Sequence, residues 1–254
     1  MSRTALVTGA ARGIGAATVA RLVADGYRVM ALDSCAGHPM ATPEDLDTVV
    51  AAHGDRVLGR VVDVRDRAAL HGAVDEVVAT WGQLDAVVAA AGIIHGGQPL
   101  WETPDTVLQD LWDVVAKGVW NTAAAAVPAM LAGPDPRQCR FVAVASAAGT
   151  HGLFHLAAYN ATKHAVVGIV KGLAADLAGT GMTASAVSPG STDTPMLTAT
   201  AALYDVPTDE LVRHQLIRRV IDPSEVAEAI AFCASPAGGV VNGTVVHADG
   251  GFSA

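Results

Sequence analysis

The 254-residue chain is poor in aromatics, lysine and cysteine, and each shortage narrows what it can be. Phe, Trp and Tyr make up 4% of it, so the interior must be built from Ala, Val, Leu and Gly. Small aliphatics in that proportion suit helices packed closely on a parallel sheet, whose strands read as continuous apolar runs. Lys and Arg number 16 against 25 Asp and Glu, a formal net charge of −9. Phosphate-backbone binding needs a basic face, so nucleic acid is excluded as the expected partner. Cys35, Cys139 and Cys233 are odd in number, far apart and without metal-ligand spacing, which leaves no expectation of a disulfide framework or a metal. They read as small hydrophobes in a reducing cytoplasm. No run of 18 uninterrupted apolar residues occurs, which argues against a membrane span. Met1-Ser2-Arg3-Thr4 leads directly into an apolar run, so no signal peptide is expected.

What the chain has is alternation. Short apolar runs at 4–8, 28–33, 57–62, 85–89, 141–145, 183–188 and 244–248 read as buried strands. Helical periodicity fills 14–25, 67–81, 106–131, 157–178 and 224–233. Strand and helix in turn predict right-handed crossovers and one doubly wound parallel sheet, a Rossmann-like α/β fold. No composition break or repeat divides residues 1–254, so a single domain is expected. Two segments stand outside the alternation. Residues 34–43 read as loop. Residues 192–222 are too long for an ordinary connection and carry Met196, Leu197, Leu203, Tyr204 and Leu211. That segment reads either as a substrate lid or as a surface helical hairpin.

Two motifs carry chemistry. The first is Thr8-Gly9-Ala10-Ala11-Arg12-Gly13-Ile14-Gly15, between a strand and a helix. There, backbone N–H groups at a helix N-terminus point at a pyrophosphate, and glycines let the main chain approach it. The spacing departs from G-x-G-x-x-G, but the strand–turn–helix context is the one the chemistry needs. Asp33 ends the second strand, 18 residues after Gly15, where a carboxylate accepts from both adenosine ribose hydroxyls and repels a 2′-phosphate. Arg12 pulls the other way, toward NADP. A like-charge clash outweighs one flexible contact, so NAD is the expected cofactor. Asp63-Val64 closes the third strand where an adenine edge would lie, with helix capping as the plain competing role.

The second motif is Ser146 with Tyr159-Asn160-Ala161-Thr162-Lys163. Tyr159 and Lys163 stand at i and i+4 of a helical segment and share a face. Ser146 follows the fifth strand, at the carboxyl end where doubly wound sheets bind ligands. Alcohol oxidation needs a base for the hydroxyl proton while hydride leaves for the nicotinamide. A tyrosine with an ordinary pKa of about 10 is too weak a base at neutral pH. The Lys163 ammonium and a cationic nicotinamide are expected to lower it. Ser146 would anchor the substrate oxygen.

These residues resemble the short-chain dehydrogenase/reductase family of the single-domain type. The Gly-rich turn, Asp63-Val64, Ala91-Gly92, the Ser146/Tyr159/Lys163 set, Pro189-Gly190 and Asp249-Gly250-Gly251 all fall in the family's order. The resemblance implies nicotinamide contacts from Pro189, Gly190, Thr192 and Thr194, ribose binding by Tyr159 and Lys163, and a homotetramer. Asp33-Ser34-Cys35-Ala36 and Gly118-Val119-Trp120-Asn121 are similar to actinobacterial members linked to the redox cofactor mycofactocin, which implies an electron acceptor beyond NAD. Two positions depart from the family. Its Asn-Asn-Ala-Gly stands here as Ala89-Ala90-Ala91-Gly92, and its catalytic Asn, three residues before Gly118, is Val115. Asn121 lies about 120° around a helix from Val115 and is no simple substitute.

His95, His151 and His155 fall in loops expected to border the crevice. His95 and His151, with Met196, are the candidates for substrate contact, against plain surface or packing roles. Trp101, Trp112 and Trp120 read as packing or subunit contacts. The expected activity is hydride transfer between NAD and a secondary alcohol or ketone with an apolar body. Two alternatives stand beside it, an NADPH-linked ketoreductase and an NAD(H)-sensing regulator without turnover.

Overall fold

The computed structural model describes residues 2–37 and 39–253. Among them, seven strands form one wholly parallel sheet: β1 (Thr4–Thr8), β2 (Arg28–Asp33), β3 (Val57–Val61), β4 (Ala86–Ala89), β5 (Arg140–Val144), β6 (Thr183–Pro189) and β7 (Val245–Ala248). Their spatial order is β3-β2-β1-β4-β5-β6-β7. The chain runs outward from β1 to β3, then returns to place β4 on the other flank of β1, in the register Ala5↔Ala86 to Thr8↔Ala89. That reversal opens a crevice at the carboxyl ends of β1 and β4.

Alternation along each strand builds two cores. Leu6, Met30, Val87, Phe141 and Ala184 face one side, where they pack with side chains of α3 (Arg67–Trp81), α5 (Lys117–Ala132) and α6 (Ala157–Asp176). Ala5, Val7, Val29, Val88 and Val142 face the other, with α1 (Gly13–Ala24), α2 (Pro43–His53) and α9 (Pro223–Ala234). Both faces are covered, which is why the strands read as unbroken apolar runs.

Two elements differ from expectation. Residues 43–53 form α2, started by a reciprocal cap in which Asp45 N donates to Thr42 Oγ1 and Thr42 N donates to Asp45 Oδ2. The helix expected over 106–131 is three pieces in one run: α4 (Asp105–Leu111), a π turn (Trp112–Ala116) and α5. By length and composition the run Asp105–Ala132 could cross a membrane, but over half of its most apolar window is buried against the rest of the fold.

The segment 192–222 holds α7 (Pro195–Tyr204) and α8 (Thr208–Leu211). Both its ends are fixed to the sheet side. Asp193 N donates to the Ile221 carbonyl at 2.9 Å and Ile221 N to the Ser191 carbonyl at 3.0 Å. Gln215, fully buried, accepts from Ser191 N and donates to the Arg219 carbonyl.

Candidate active site

The Gly-rich turn sits at the reversal point. Gly9 has φ +67, and a Cβ there would lie 2.7 Å from the Ala91 backbone, so no other residue fits between β1 and β4. The Thr8 hydroxyl accepts from Ala90 N at 3.1 Å and Ala91 N at 3.2 Å, tying the two strand ends together. Family side chains are missing at 89–90, yet this joint is made by backbone donors that need none. Gly13, Ile14 and Gly15 form the first turn of α1, which begins at Arg12 with no side-chain cap and no acidic residue. Its leading N–H groups are available to an anion.

Asp33 lies beside this turn. Its carboxylate accepts from Ala11 N and Cys35 N, both at 3.1 Å, which fixes its orientation and leaves lone pairs for a diol. Arg12, the residue that favoured NADP, donates to the Pro39 carbonyl at 2.8 Å and so ties down the loop after β2. Asp63 is no helix cap; that role falls to Asp66, which accepts from Ala69 N. The Arg65 guanidinium grips the Asp63 carboxylate and holds its pKa below the ordinary carboxylate value. Val64 is buried beside it.

Ser146, Tyr159 and Lys163 come together at the end of β5. Ser146 follows the strand in extended conformation, and its hydroxyl accepts from Ala148 N at 3.2 Å. Tyr159 and Lys163 share the buried stripe of α6 with Thr162, Val166 and Val170. Lys163 Nζ donates to the Val144 carbonyl at 2.9 Å and lies 5.7 Å from the centre of the Tyr159 ring. Burial lowers the Lys163 pKa to about 8. Burial pushes the Tyr159 hydroxyl up to about 12, and the Ser146 hydrogen bond recovers only part of that rise. In the protein alone, desolvation outweighs the Ser146 hydrogen bond, so Tyr159 is a protonated acid at neutral pH.

The other wall comes from α7 and two loops. The Tyr159 hydroxyl points at Met196 Sδ, 3.9 Å away. A Cβ on Gly92 would lie 3.9 Å from both Lys163 Nζ and the Met196 methyl, so Gly92, Lys163 and Met196 meet at one point. Thr194 caps α7 by accepting from Leu197 N, and Thr192 Oγ1 donates to the Gly190 carbonyl, beyond Pro189 at the end of β6. Tyr204, at the far end of α7, donates to the Phe154 carbonyl at 2.6 Å, and Gly97 N donates to the His155 carbonyl at 2.9 Å. The loops after β4 and β5 are thereby clasped to α7. His151 bonds through Nδ1 to the Ala147 carbonyl and packs near Phe252; His155 stacks on Phe154; His95 is exposed. Among the described residues, no three His, Cys, Asp or Glu side chains are grouped to hold a metal ion.

The contacts of three residues of this region were not read from the sequence. Tyr204 latches a loop 50 positions away, a contact no local pattern encodes. Asn160, inside the second motif, donates to the Leu153 carbonyl at 2.9 Å. Asn121, set aside as a substitute for the missing Asn, is buried and donates to the Val64 carbonyl. Val115 is wholly buried in the core cluster that includes Leu111, Val119 and Tyr159.

The fold and this geometry agree with what the chain is similar to. A family model described as enoyl-(acyl carrier protein) reductase matches residues 9–253. An uncharacterized NAD-dependent oxidoreductase of Mycobacterium tuberculosis is 34% identical over 98% of this chain and 95% of its own length. (−)-trans-Carveol dehydrogenase of Rhodococcus erythropolis is 36% identical over 77% of this chain and 73% of its own. The crystal structure of carveol dehydrogenase from Mycobacterium avium in complex with NAD superposes with a TM-score of 0.91 at 31% identity, covering 98% of this chain and 96% of that one. The chain belongs to the short-chain dehydrogenase/reductase family of nicotinamide-dependent oxidoreductases.

Proposed function

We propose that this protein is an NAD-dependent dehydrogenase for secondary alcohols with an apolar body, reversible to carbonyl reduction. The observation that carries the proposal is the meeting of the Tyr159 hydroxyl, the Lys163 ammonium and Gly92 beside the uncapped turn of α1. The residues present fit the cofactor. Gly9, Arg12, Gly13, Ile14 and Gly15 would receive the pyrophosphate, Asp33 the adenosine ribose, and Asp63 with Val64 the adenine. Ala91, Gly92, Pro189, Gly190, Thr192 and Thr194 would flank the nicotinamide, with Tyr159 and Lys163 toward its ribose. When bound, NAD supplies the hydride acceptor and a positive ring.

The chain's own part is proton handling. Ser146 holds the substrate oxygen, and Tyr159 gives its proton in reduction or takes one in oxidation. Lys163, buried beside the ring, stabilises the phenolate form. For Tyr159 to act as a base, its pKa must fall from about 12, and the bound nicotinamide cation and Lys163 act in that direction. A substrate would meet Met196 at the Tyr159 hydroxyl, and the loops and α7 nearby carry the apolar Ile93, Ile94, Leu153 and Leu203, packed on the same core as Tyr159. The relatives named for carveol, a cyclic secondary alcohol, support that class. His95 and His151 stand on the loops that border it. The finer parts of the reading are a homotetramer using the exposed Trp112 and Trp120 face, a cytoplasmic setting suited to three free thiols, and mycofactocin as electron acceptor.

Native mass spectrometry of the protein as purified, followed by a panel of cyclic and open-chain secondary alcohols with NAD, tests this. The expected result is a tetramer and NADH formation favouring cyclic, apolar alcohols. Retained NAD(H) with turnover only in the presence of an artificial dye supports the acceptor-coupled form. Bound NADP(H), or no oxidation of any alcohol by either route, overturns the reading.

A further inference from the structure

We infer that Asn121 is a positioning residue for the adenine end of the cofactor, acting through the turn that follows β3. Asn121 lies on α5, 5% exposed, among the buried residues Gly118, Val119, Thr122 and Ala123 of that helix. Its Nδ2 donates to the Val64 carbonyl at 3.0 Å and to the Arg65 carbonyl at 3.4 Å. A buried amide that satisfies two consecutive carbonyls fixes the path of the chain between them, because leaving those acceptors bare in the interior is costly.

The same face of α5 presents Gly118 one turn earlier. A Cβ there would lie 2.7 Å from Val64 Cγ2, so the absence of a side chain lets Val64 seat against the helix. Gly118 and Asn121 together form a socket for the turn, one by shape and one by hydrogen bonding. From its other sides the turn is held by Val62 N donating to the Asp33 carbonyl at 2.8 Å and by Asp66 N donating to the Asp63 carbonyl at 2.9 Å. Asp33 and Asp63 are thus placed relative to one another through a backbone joint whose outer half rests on Asn121.

The helical run that carries Asn121 also packs against α6 at its π turn. It therefore touches the element holding Tyr159 and Lys163 at the π turn and, immediately after it, the turn that follows β3. Asn121 contacts neither reacting atoms nor proton path. Its hydrogen bonds go to Val64 and Arg65 and to none of Ser146, Tyr159 and Lys163, which predicts a defect confined to one half of the dinucleotide.

Fragment binding to the full chain reads this directly. Isothermal titration with AMP reports the adenine half, and titration with nicotinamide mononucleotide reports the other. In Asn121→Ala, AMP affinity should fall about tenfold, or about 1.4 kcal/mol, with nicotinamide mononucleotide affinity within twofold of the parent. Asn121→Asp keeps the shape, turns an acceptor toward the two carbonyls, and should lose at least as much. A general loosening of the fold would weaken both fragments alike, and that result overturns the assignment, as does unchanged AMP affinity. Should Asn121→Ala not fold, Gly118→Ala disturbs the same socket with the amide kept. It must reproduce the AMP-selective loss, and equal or absent losses refute the inference.

Discussion

Lys163 Nζ donates to the Val144 carbonyl at 2.9 Å, so this buried ammonium bolts α6 to β5. The bond supplies one acceptor to an ammonium otherwise inside the fold. Desolvation therefore wins, and the pKa falls from 10.5 to about 8. Between those two values the unfolded chain holds the proton and the folded chain does not, so this group's contribution to stability rises with pH across that window.

Lys163→Met should accordingly stabilise the fold and abolish turnover. The gain should be largest near pH 7 and shrink by about 2 kcal/mol by pH 9.5, a figure set by 1.36 kcal/mol per pKa unit. Urea titrations of parent and variant at the two pH values measure it. A gain independent of pH would mean that Lys163 is not buried in its charged form.

Tyr159→Phe removes the proton donor and leaves the buried ring of α6 in the core. Turnover should fall by about 10²–10⁴-fold, the usual worth of a positioned acid or base. NADH affinity, followed by its fluorescence, should stay within a few-fold. Survival of turnover would remove the tyrosine from the chemistry, and a protein whose response to NAD(H) persisted without any catalysis would fit the regulator alternative.

Asp33→Ser removes the carboxylate that accepts from Ala11 N and Cys35 N. Loss of charge-assisted bonds of this kind is worth about 1.5–3 kcal/mol, so kcat/KM with NAD should drop by about ten- to a hundredfold. NADP should gain in the same variant, because a 2′-phosphate no longer meets a like charge. Arg12, bound to the Pro39 main-chain carbonyl, should limit that gain.

Val115→Asn restores the residue type that the family resemblance leads one to expect. Val115 is wholly buried among Leu111, Val119 and Tyr159. An amide there without partners costs about 1–3 kcal/mol. Thermal unfolding should come earlier and kcat should not rise. A rise in kcat would show that the valine interrupts a proton route the amide can complete.

The strand–helix alternation was legible because both faces of the sheet are covered, which leaves strands apolar throughout and turns polar. The pairing of Tyr159 with Lys163 on one buried face was legible because i and i+4 spacing survives folding unchanged. Helix α2 was legible in principle, since Thr42, Pro43 and Asp45 form a reciprocal cap, but its buried stripe reduces to Leu46 and the periodic signal is faint. The π turn at Trp112–Ala116 left no mark, because one extra residue per turn is a backbone matter that side-chain periodicity averages away. Tyr204 on the Phe154 carbonyl and Asn121 on the Val64 carbonyl join segments 50 and 57 residues apart, each to a backbone atom that every residue type possesses. Such partners are written in the topology alone. The rise in the Tyr159 pKa was missed for a related reason: neighbouring charge can be read from a motif, whereas depth below the surface cannot.

The placement of β4 against β1 has a consequence for how this protein is born. Strand β1 pairs with β2 on one flank, but its other flank waits for Ala86–Ala89. At roughly 5–20 residues per second of synthesis, the 78 positions between Thr8 and Ala86 take about 4–16 s to emerge. Throughout that interval a growing chain carries a hydrophobic strand with one row of amides and carbonyls bare. Translation stalled before residue 86 would thus leave the edge of β1 bare, and the arrival of β4 passes that bare edge to Ala86–Ala89 until β5 is made.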